Sequence, residues 1–268
     1  YGTWVIREIE SPTGFVLSEE EIVVTVGKVD EVVEIELVNY FIKGNIELTK
    51  VDTDYPDNKL TGAVFEVYAD TNGNGEFDKD DELCGEMTEL EGGVYQMTEL
   101  RYGKYFVREK TVPDGFVLDD GVYGVSIEEN GKTYTVENKA GVGFINDAQK
   151  GSLKIVKTSS DGKVEGFSFR VTSADGYDQT FKTDKNGEIF IEGLRIGEYT
   201  VSEVSDSASA GYILPADKQA TVKTDSTTIV EMHNEFRDTP KTGDDFNLGL
   251  WVSLAAASVI GAGAVSYT

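Results

Sequence analysis

Apolar and polar positions alternate along most of this chain in short runs, each cut off by a cluster of Gly, Asn and Asp. Residues 44–52, 63–70, 103–110, 151–158 and 197–204 are examples, all rich in Val, Ile, Thr, Tyr and Phe. A period of two with turn residues between the runs predicts β-strands, half buried and joined by tight connections. No stretch before Phe246 carries a helical period, so the chain reads as all-β, built from sandwiches of about a hundred residues each. The pattern changes after Asp245. Phe246 to Tyr267 is 22 residues without a charge, the length of a membrane-spanning helix.

The runs recur. Residues 39–50 (NYFIKGNIELTK) align without a gap on residues 146–157 (NDAQKGSLKIVK), a constant offset of 107. Residues 4–15 (WVIREIESPTGF) match 105–116 (YFVREKTVPDGF), and a shorter relative runs from Tyr199 to Glu203, with Gly211 and Tyr212 further on. The chain is therefore expected to hold the tail of one sandwich repeat (1–41), a complete repeat (44–148), a shorter second repeat (151–236) and a distinct C-terminal segment (237–268). The opening at Tyr1, with neither Met nor a leader, reads as the interior of a strand and hence of a longer chain.

Side chains i, i+2 and i+4 of a strand share a face. On that basis Ile46 and Leu48 share a face with Lys50, and Leu153 and Ile155 with Lys157. Tyr105 and Val107 align with Glu109, Tyr199 and Val201 with Glu203, and Trp4 and Ile6 with Glu8. Val142 and Phe144 align with Asn146, Val230 and Met232 with Asn234, and Ile35 and Leu37 with Asn39. Each repeat thus aims a Lys, a Glu and an Asn at its own core, although the first has no Lys. Burying them apart costs several kcal/mol per charge. Burying them together changes their chemistry. Desolvation favours a neutral amine and a neutral carboxylic acid, the amine becomes a nucleophile, and the acid can polarise the Asn amide and carry its proton. The product is a Lys–Asn amide cross-link and ammonia. A plain ion pair, or strand ends turned to water, is the competing reading of the same residues.

Composition narrows the partners. Against 24 Lys and Arg stand 49 Asp and Glu, a formal charge of −25, which repels nucleic acid and anionic membrane surfaces. Cys84 is alone, so no disulfide can form within the chain, and the single His233 argues against zinc sites and His-based catalysis.

These residues and motifs resemble the collagen-adhesin B-type repeats and pilin subunits of Gram-positive bacteria. The resemblance rests on Lys50 followed by 60–65 (LTGAVF), on the 105–116 motif, and on Asn146. It implies a prealbumin-like or immunoglobulin-like sandwich, with Lys50 and Asn146 as the bonded pair and Glu109 as the catalytic acid. In the second repeat the corresponding set is Lys157, Asn234 and Glu203, although 164–169 (VEGFSF) departs from the family pattern and no Pro precedes Gly211. Glu8 and Asn39 are the remnant of a third set. Thr239, Pro240, Lys241, Thr242 and Gly243, ahead of the apolar span, resemble an LPxTG-type sorting signal with Thr in the place of Leu. That implies sortase and peptidoglycan as partners, a membrane stage before sorting, and an extracellular, wall-anchored location.

One acidic loop stands outside this scheme. Asp70, Asn72, Asn74, Glu76, Asp78 and Asp81 occupy positions 1, 3, 5, 7, 9 and 12 of a calcium-loop pattern, with Gly75 at the turn. Flanking strands and Asp at position 12 set it apart from an EF-hand, and an acidic hairpin without metal is equally consistent. The function expected is a structural stalk or pilin-like subunit, with a host-matrix adhesin as the alternative. An enzyme acting on external substrates is not expected, and neither is a required cofactor.

Overall fold

The computed structural model describes residues 1–237, and among them every regular element is a strand. The sorting signal at 239–243 and the apolar span at 246–267 lie outside the described residues. Within the described residues no helix is long and apolar enough to cross a membrane.

Strands β1 (Gly2–Arg7) and β2 (Glu21–Val26) form an antiparallel pair in which Trp4 faces Val24. Residues 31–40, where a strand carrying Ile35, Leu37 and Asn39 was expected, form none, and Ile35 and Leu37 are 39% and 43% exposed. A strand is held by a neighbour's hydrogen bonds. The described backbone contacts at its end, Val16 N to Tyr40 O at 2.8 Å and a bridge from Phe41 to Phe15, do not extend into a ladder.

The next nine strands make a sandwich. One sheet contains β3 (Lys43–Asp52), β6 (Thr88–Leu90), β7 (Val94–Arg101), β10 (Thr133–Thr135) and β11 (Phe144–Asn146), in the order β10-β3-β7-β6 with β11 also on β3. The facing sheet contains β4 (Val64–Ala69), β5 (Glu82–Glu86), β8 (Gly103–Thr111) and β9 (Val122–Ile127), in the order β5-β4-β8-β9. Between them lie Ile46, Leu48, Phe65, Val67, Tyr95, Val107, Ile127 and Phe144. β10 and β11 both run parallel to β3, and the register of β11 sets Phe144 against Lys50 and Asn146 against Asp52. On the opposite sheet β8 runs antiparallel to β4 with Glu109 beside Phe65.

The last eight strands repeat the arrangement. β12 (Lys150–Ser159), β15 (Glu188–Arg195), β17 (Tyr212–Ile213) and β19 (Thr227–Phe236) form one sheet, in the order β15-β12-β19-β17. β13 (Ser168–Ser173), β14 (Asp178–Lys182), β16 (Gly197–Glu203) and β18 (Lys218–Val222) form the other, in the order β14-β13-β16-β18.

Alternation delivers the polar residues inward as the pattern requires. Along β3 the alternating buried positions are Gly44, Ile46, Leu48 and Lys50, after which Val51 and Asp52 are buried as well, and along β12 they are Gly151, Leu153, Ile155 and Lys157. The backbone beside each lysine is shaped by a left-handed glycine. Lys50 N donates to Gly93 O and Lys157 N to Gly187 O, each at 2.8 Å. Gly93 has φ 68° and Gly187 φ 79°, and a Cβ at either would lie within 2.8 Å of a backbone carbonyl oxygen.

Candidate functional site: buried Lys, Glu and Asn clusters

Lys50, Glu109 and Asn146 enter the first sandwich from three strands, β3, β8 and β11, and are 0%, 4% and 2% exposed. Lys50 Nζ lies 3.1 Å from Glu109 Oε1, an ion-pair distance, though the two are not aligned as a hydrogen bond. Asn146 Nδ2 donates to Glu109 Oε2 at 2.9 Å and to the Val117 carbonyl at 2.8 Å. The backbone N–H of Asp119 donates to the same Oε2 at 3.0 Å. The side-chain amide oxygen of Asn146, Oδ1, is buried with no partner.

Aromatic rings enclose the amine. Lys50 Nζ stands 4.5 Å from the centroid of Phe144 and 5.6 Å from that of Phe65, and these two rings meet edge to face at 4.9 Å. Such a cage excludes water, and burial drives the Lys50 pKa down to about 8, against the opposing pull of Glu109. A lysine held there reaches its neutral, nucleophilic form far more readily than one in water.

The second sandwich carries the same three residue types with a different arrangement. Lys157, Glu203 and Asn234 are 1%, 9% and 0% exposed, on β12, β16 and β19. Asn234 Nδ2 donates to Glu203 Oε1 at 2.6 Å. Lys157 Nζ sits 4.4 Å from the centroid of Phe167 but donates to the Thr158 carbonyl at 2.5 Å rather than pairing with Glu203. Glu203 Oε2 and Asn234 Oδ1 are buried without partners. Burial lowers the Lys157 pKa and raises that of Glu203.

Near the N-terminus, Asn39 Nδ2 bonds both carboxylate oxygens of Glu8 at 2.8 Å, and the Ser18 N–H bonds Glu8 Oε2 at 2.7 Å. No lysine among the described residues joins them, and both side chains are only half-buried.

The acidic loop closes on itself. Asp70 accepts the N–H groups of Gly73 and Gly75, and Asn72 and Asn74 donate their amides to Asp78. Asp81 accepts the N–H of Asp78, while Glu76 is exposed and its N–H bonds Asn74. Lys104 Nζ donates to the Gly75 carbonyl at 2.5 Å. Among the described residues no three His, Cys, Asp or Glu side chains are grouped to share a metal ion.

Residues 44–140 and 151–236, the two sandwiches with their Lys and Glu residues, match the family described as SpaA: Prealbumin-like fold domain. The chain belongs to this family. It is similar to the solved Bacillus anthracis TIE protein, at 26% identity and a TM-score of 0.67, over 88% of this chain and 42% of that one. It therefore spans less than half the length of that relative. It also matches GBS52, the minor pilin of the Gram-positive pathogen Streptococcus agalactiae, at 17% identity over 73% of this chain and 98% of that one, with a TM-score of 0.34. The Streptococcal ancillary pilin matches at 19% identity over 88% and 75% of the two chains, with a TM-score of 0.32. No curated protein matches.

Sequence reasoning missed Asp119. Its N–H holds Glu109, and its carboxylate accepts Tyr123 Oη at 2.8 Å and Asn138 Nδ2 at 2.6 Å beside the cluster. The detectable signal was its place, three residues after the aromatic that ends the 105–116 motif.

Proposed function

We propose that this chain is a structural subunit of a Gram-positive cell surface, a stalk or pilin-like element stiffened by internal Lys–Asn isopeptide bonds. One observation carries the reading: Lys50, Glu109 and Asn146 converge in a dry aromatic pocket where a plain ion pair gains little stability. Glu109 accepts a proton from the Lys50 ammonium, and the neutral Nζ attacks Asn146 Cγ. Glu109 then passes that proton to Nδ2, the Cγ–Nδ2 bond breaks, and the departing ammonia takes the surplus Nζ proton, so that ammonium leaves and a neutral amide remains. A cleft of about 270 Å³ lined by Val117, Asp119, Tyr123, Asn138 and Asn146 offers it a way out. Both reacting side chains meet the same buried carboxylate, Lys50 at Oε1 and Asn146 at Oε2, which supports the high effective molarity of an intramolecular step. The Glu acts once, on its own chain.

In this reading residues 1–41 end a further repeat, and Lys157 and Asn234 form a second bond with Glu203 as acid. Sortase cuts between Thr242 and Gly243 and joins Thr242 to peptidoglycan, with 246–267 holding the chain in the membrane beforehand. Other pilin subunits or a host matrix protein are further candidate partners. Calcium at the Asp70 loop is a separate proposal resting on the donor types alone.

Tryptic digestion with tandem mass spectrometry tests the bond. Wild-type protein should yield a branched peptide joining the segments around Lys50 and Asn146, absent from Lys50→Ala. Linear peptides alone from wild type would overturn it.

A further inference from the structure

Three glycine–aromatic corners in this chain share one register. Phe15 bridges Phe41, Phe116 bridges Ala148 and Tyr212 pairs with Phe236, and each partner lies two residues past the Asn of its cluster. The flanking hydrogen bond repeats as well: Ile42 N to Gly14 O at 2.8 Å, Gln149 N to Gly115 O at 2.8 Å, Arg237 N to Gly211 O at 2.7 Å. Three residues beyond the aromatic stand Ser18, Asp119 and Pro215. The first two donate their backbone N–H to Oε2 of the local glutamate, at 2.7 Å to Glu8 and 3.0 Å to Glu109. Proline has no N–H to give.

The carboxylates differ accordingly. In the first sandwich Oε2 of Glu109 takes the Asp119 N–H and the Asn146 amide, which leaves Oε1 facing Lys50 at 3.1 Å. In the second, Asn234 occupies Oε1 of Glu203, Oε2 is buried with no partner, and Lys157 turns to the Thr158 carbonyl. The fixed amide divides the two oxygens between the asparagine and the lysine. Without it a single oxygen serves the asparagine and none engages the amine.

We propose that the backbone N–H at this position is the positioning donor for cross-linking, and that Pro215, by removing it, makes the second sandwich the slow one to close. The proposal rests on the isopeptide reading above. The covalent step is the same in both sandwiches: the Nζ–Cγ bond forms, the Cγ–Nδ2 bond breaks, and ammonia departs with its proton supplied through the glutamate. Only the geometry before attack differs, and a misplacement of about 1 Å is enough to cost about a hundredfold in such a step.

The test is a time course of ammonia loss by intact mass, on the full chain made by cell-free synthesis in mild detergent. Lys157→Ala reports the first sandwich alone and Lys50→Ala the second alone. The second is expected to close about tenfold or more slower than the first. Adding Pro215→Ser or Pro215→Ala to Lys50→Ala should speed it, whichever side chain is used, because each restores the N–H. Adding Asp119→Pro to Lys157→Ala should slow the first sandwich while its melting transition persists. If Asp119→Pro fails to fold, the two Pro215 variants still decide. No acceleration in either Pro215 variant, or a second sandwich that already closes as fast as the first, overturns the positioning role. Ammonia lost from no variant overturns the cross-link itself.

Discussion

The Nζ of Lys50 lies 3.1 Å from Oε1 of Glu109, and neither side chain reaches solvent. A buried charge pair of this kind is a poor source of stability, but either member alone is worse. Glu109→Ala strands Lys50 in the aromatic cage and also removes the proton carrier. It is expected to abolish ammonia loss from the first sandwich and to cost about 3–5 kcal/mol in urea unfolding. Glu109→Ala protein that still shows the first sandwich's ammonia deficit against its own sequence mass, with an unchanged midpoint, would contradict this.

Lys50 also sets a pH dependence. Burial holds its pKa down at about 8, so the fraction of neutral amine rises with pH up to that value. Glu109, however, takes the ammonium proton internally and must still deliver it to Nδ2. The closing rate of the first sandwich should therefore stay level below pH 8 and fall about tenfold per pH unit above it, where the pair loses that proton to solvent. An uncrosslinked variant gives a second readout. In Asn146→Ala the folded lysine titrates near 8 and the unfolded one near about 10.4, so the unfolded state binds more protons between those values. The unfavourable contribution is complete below pH 8 and fades as pH rises through the window. Stability measured against the Lys50→Met, Asn146→Ala pair should therefore increase from pH 8 to 10, and a flat difference would contradict the burial argument.

Glu66 offers an independent check at acid pH. Burial alone would raise its pKa, but Arg108 at 2.8 Å, Tyr68 at 2.8 Å and Lys110 at 3.0 Å together hold it down at about 2. Its contribution is present above the unfolded value of about 4.3 and is lost as pH falls toward 2. With Arg108 and Lys110 nearly half exposed, screening limits the effect to the order of 2 kcal/mol. Glu66→Gln should flatten the acid limb of the stability curve by that amount, measured by urea unfolding from pH 6 to 3.

The Asp70 loop sets calcium against Lys104. The lysine donates to the Gly75 carbonyl, and the Asn72 and Asn74 amides already engage Asp78, so a bound cation must displace these contacts. Isothermal titration of the protein should show calcium binding that tightens in Lys104→Met. No heat at millimolar calcium in either protein would remove the proposal.

Alternation predicted the inward faces of β3 and β12, where Lys50 and Lys157 each follow two apolar neighbours on the buried side, but not that of β1, where Trp4, expected to face inward with Glu8, is 60% exposed. The parallel pairing of β10 and β11 on β3 was not legible. A period of two fixes the face of a strand and carries no information about its neighbour or its direction. Residues 31–40 misled for the same reason, since a strand-like pattern makes no strand without a partner. The Asp119 amide escaped because any residue but proline supplies it. Its place three residues after Phe116, set beside Pro215 three residues after Tyr212, makes that position visible.

Intact mass spectrometry of the full chain tests the central claim most directly. The mass should be lower than that of the sequence by two ammonia molecules once both sandwiches have closed, with Lys50→Ala and Lys157→Ala each restoring one. A mass equal to that of the sequence, unchanged by either substitution, would contradict it.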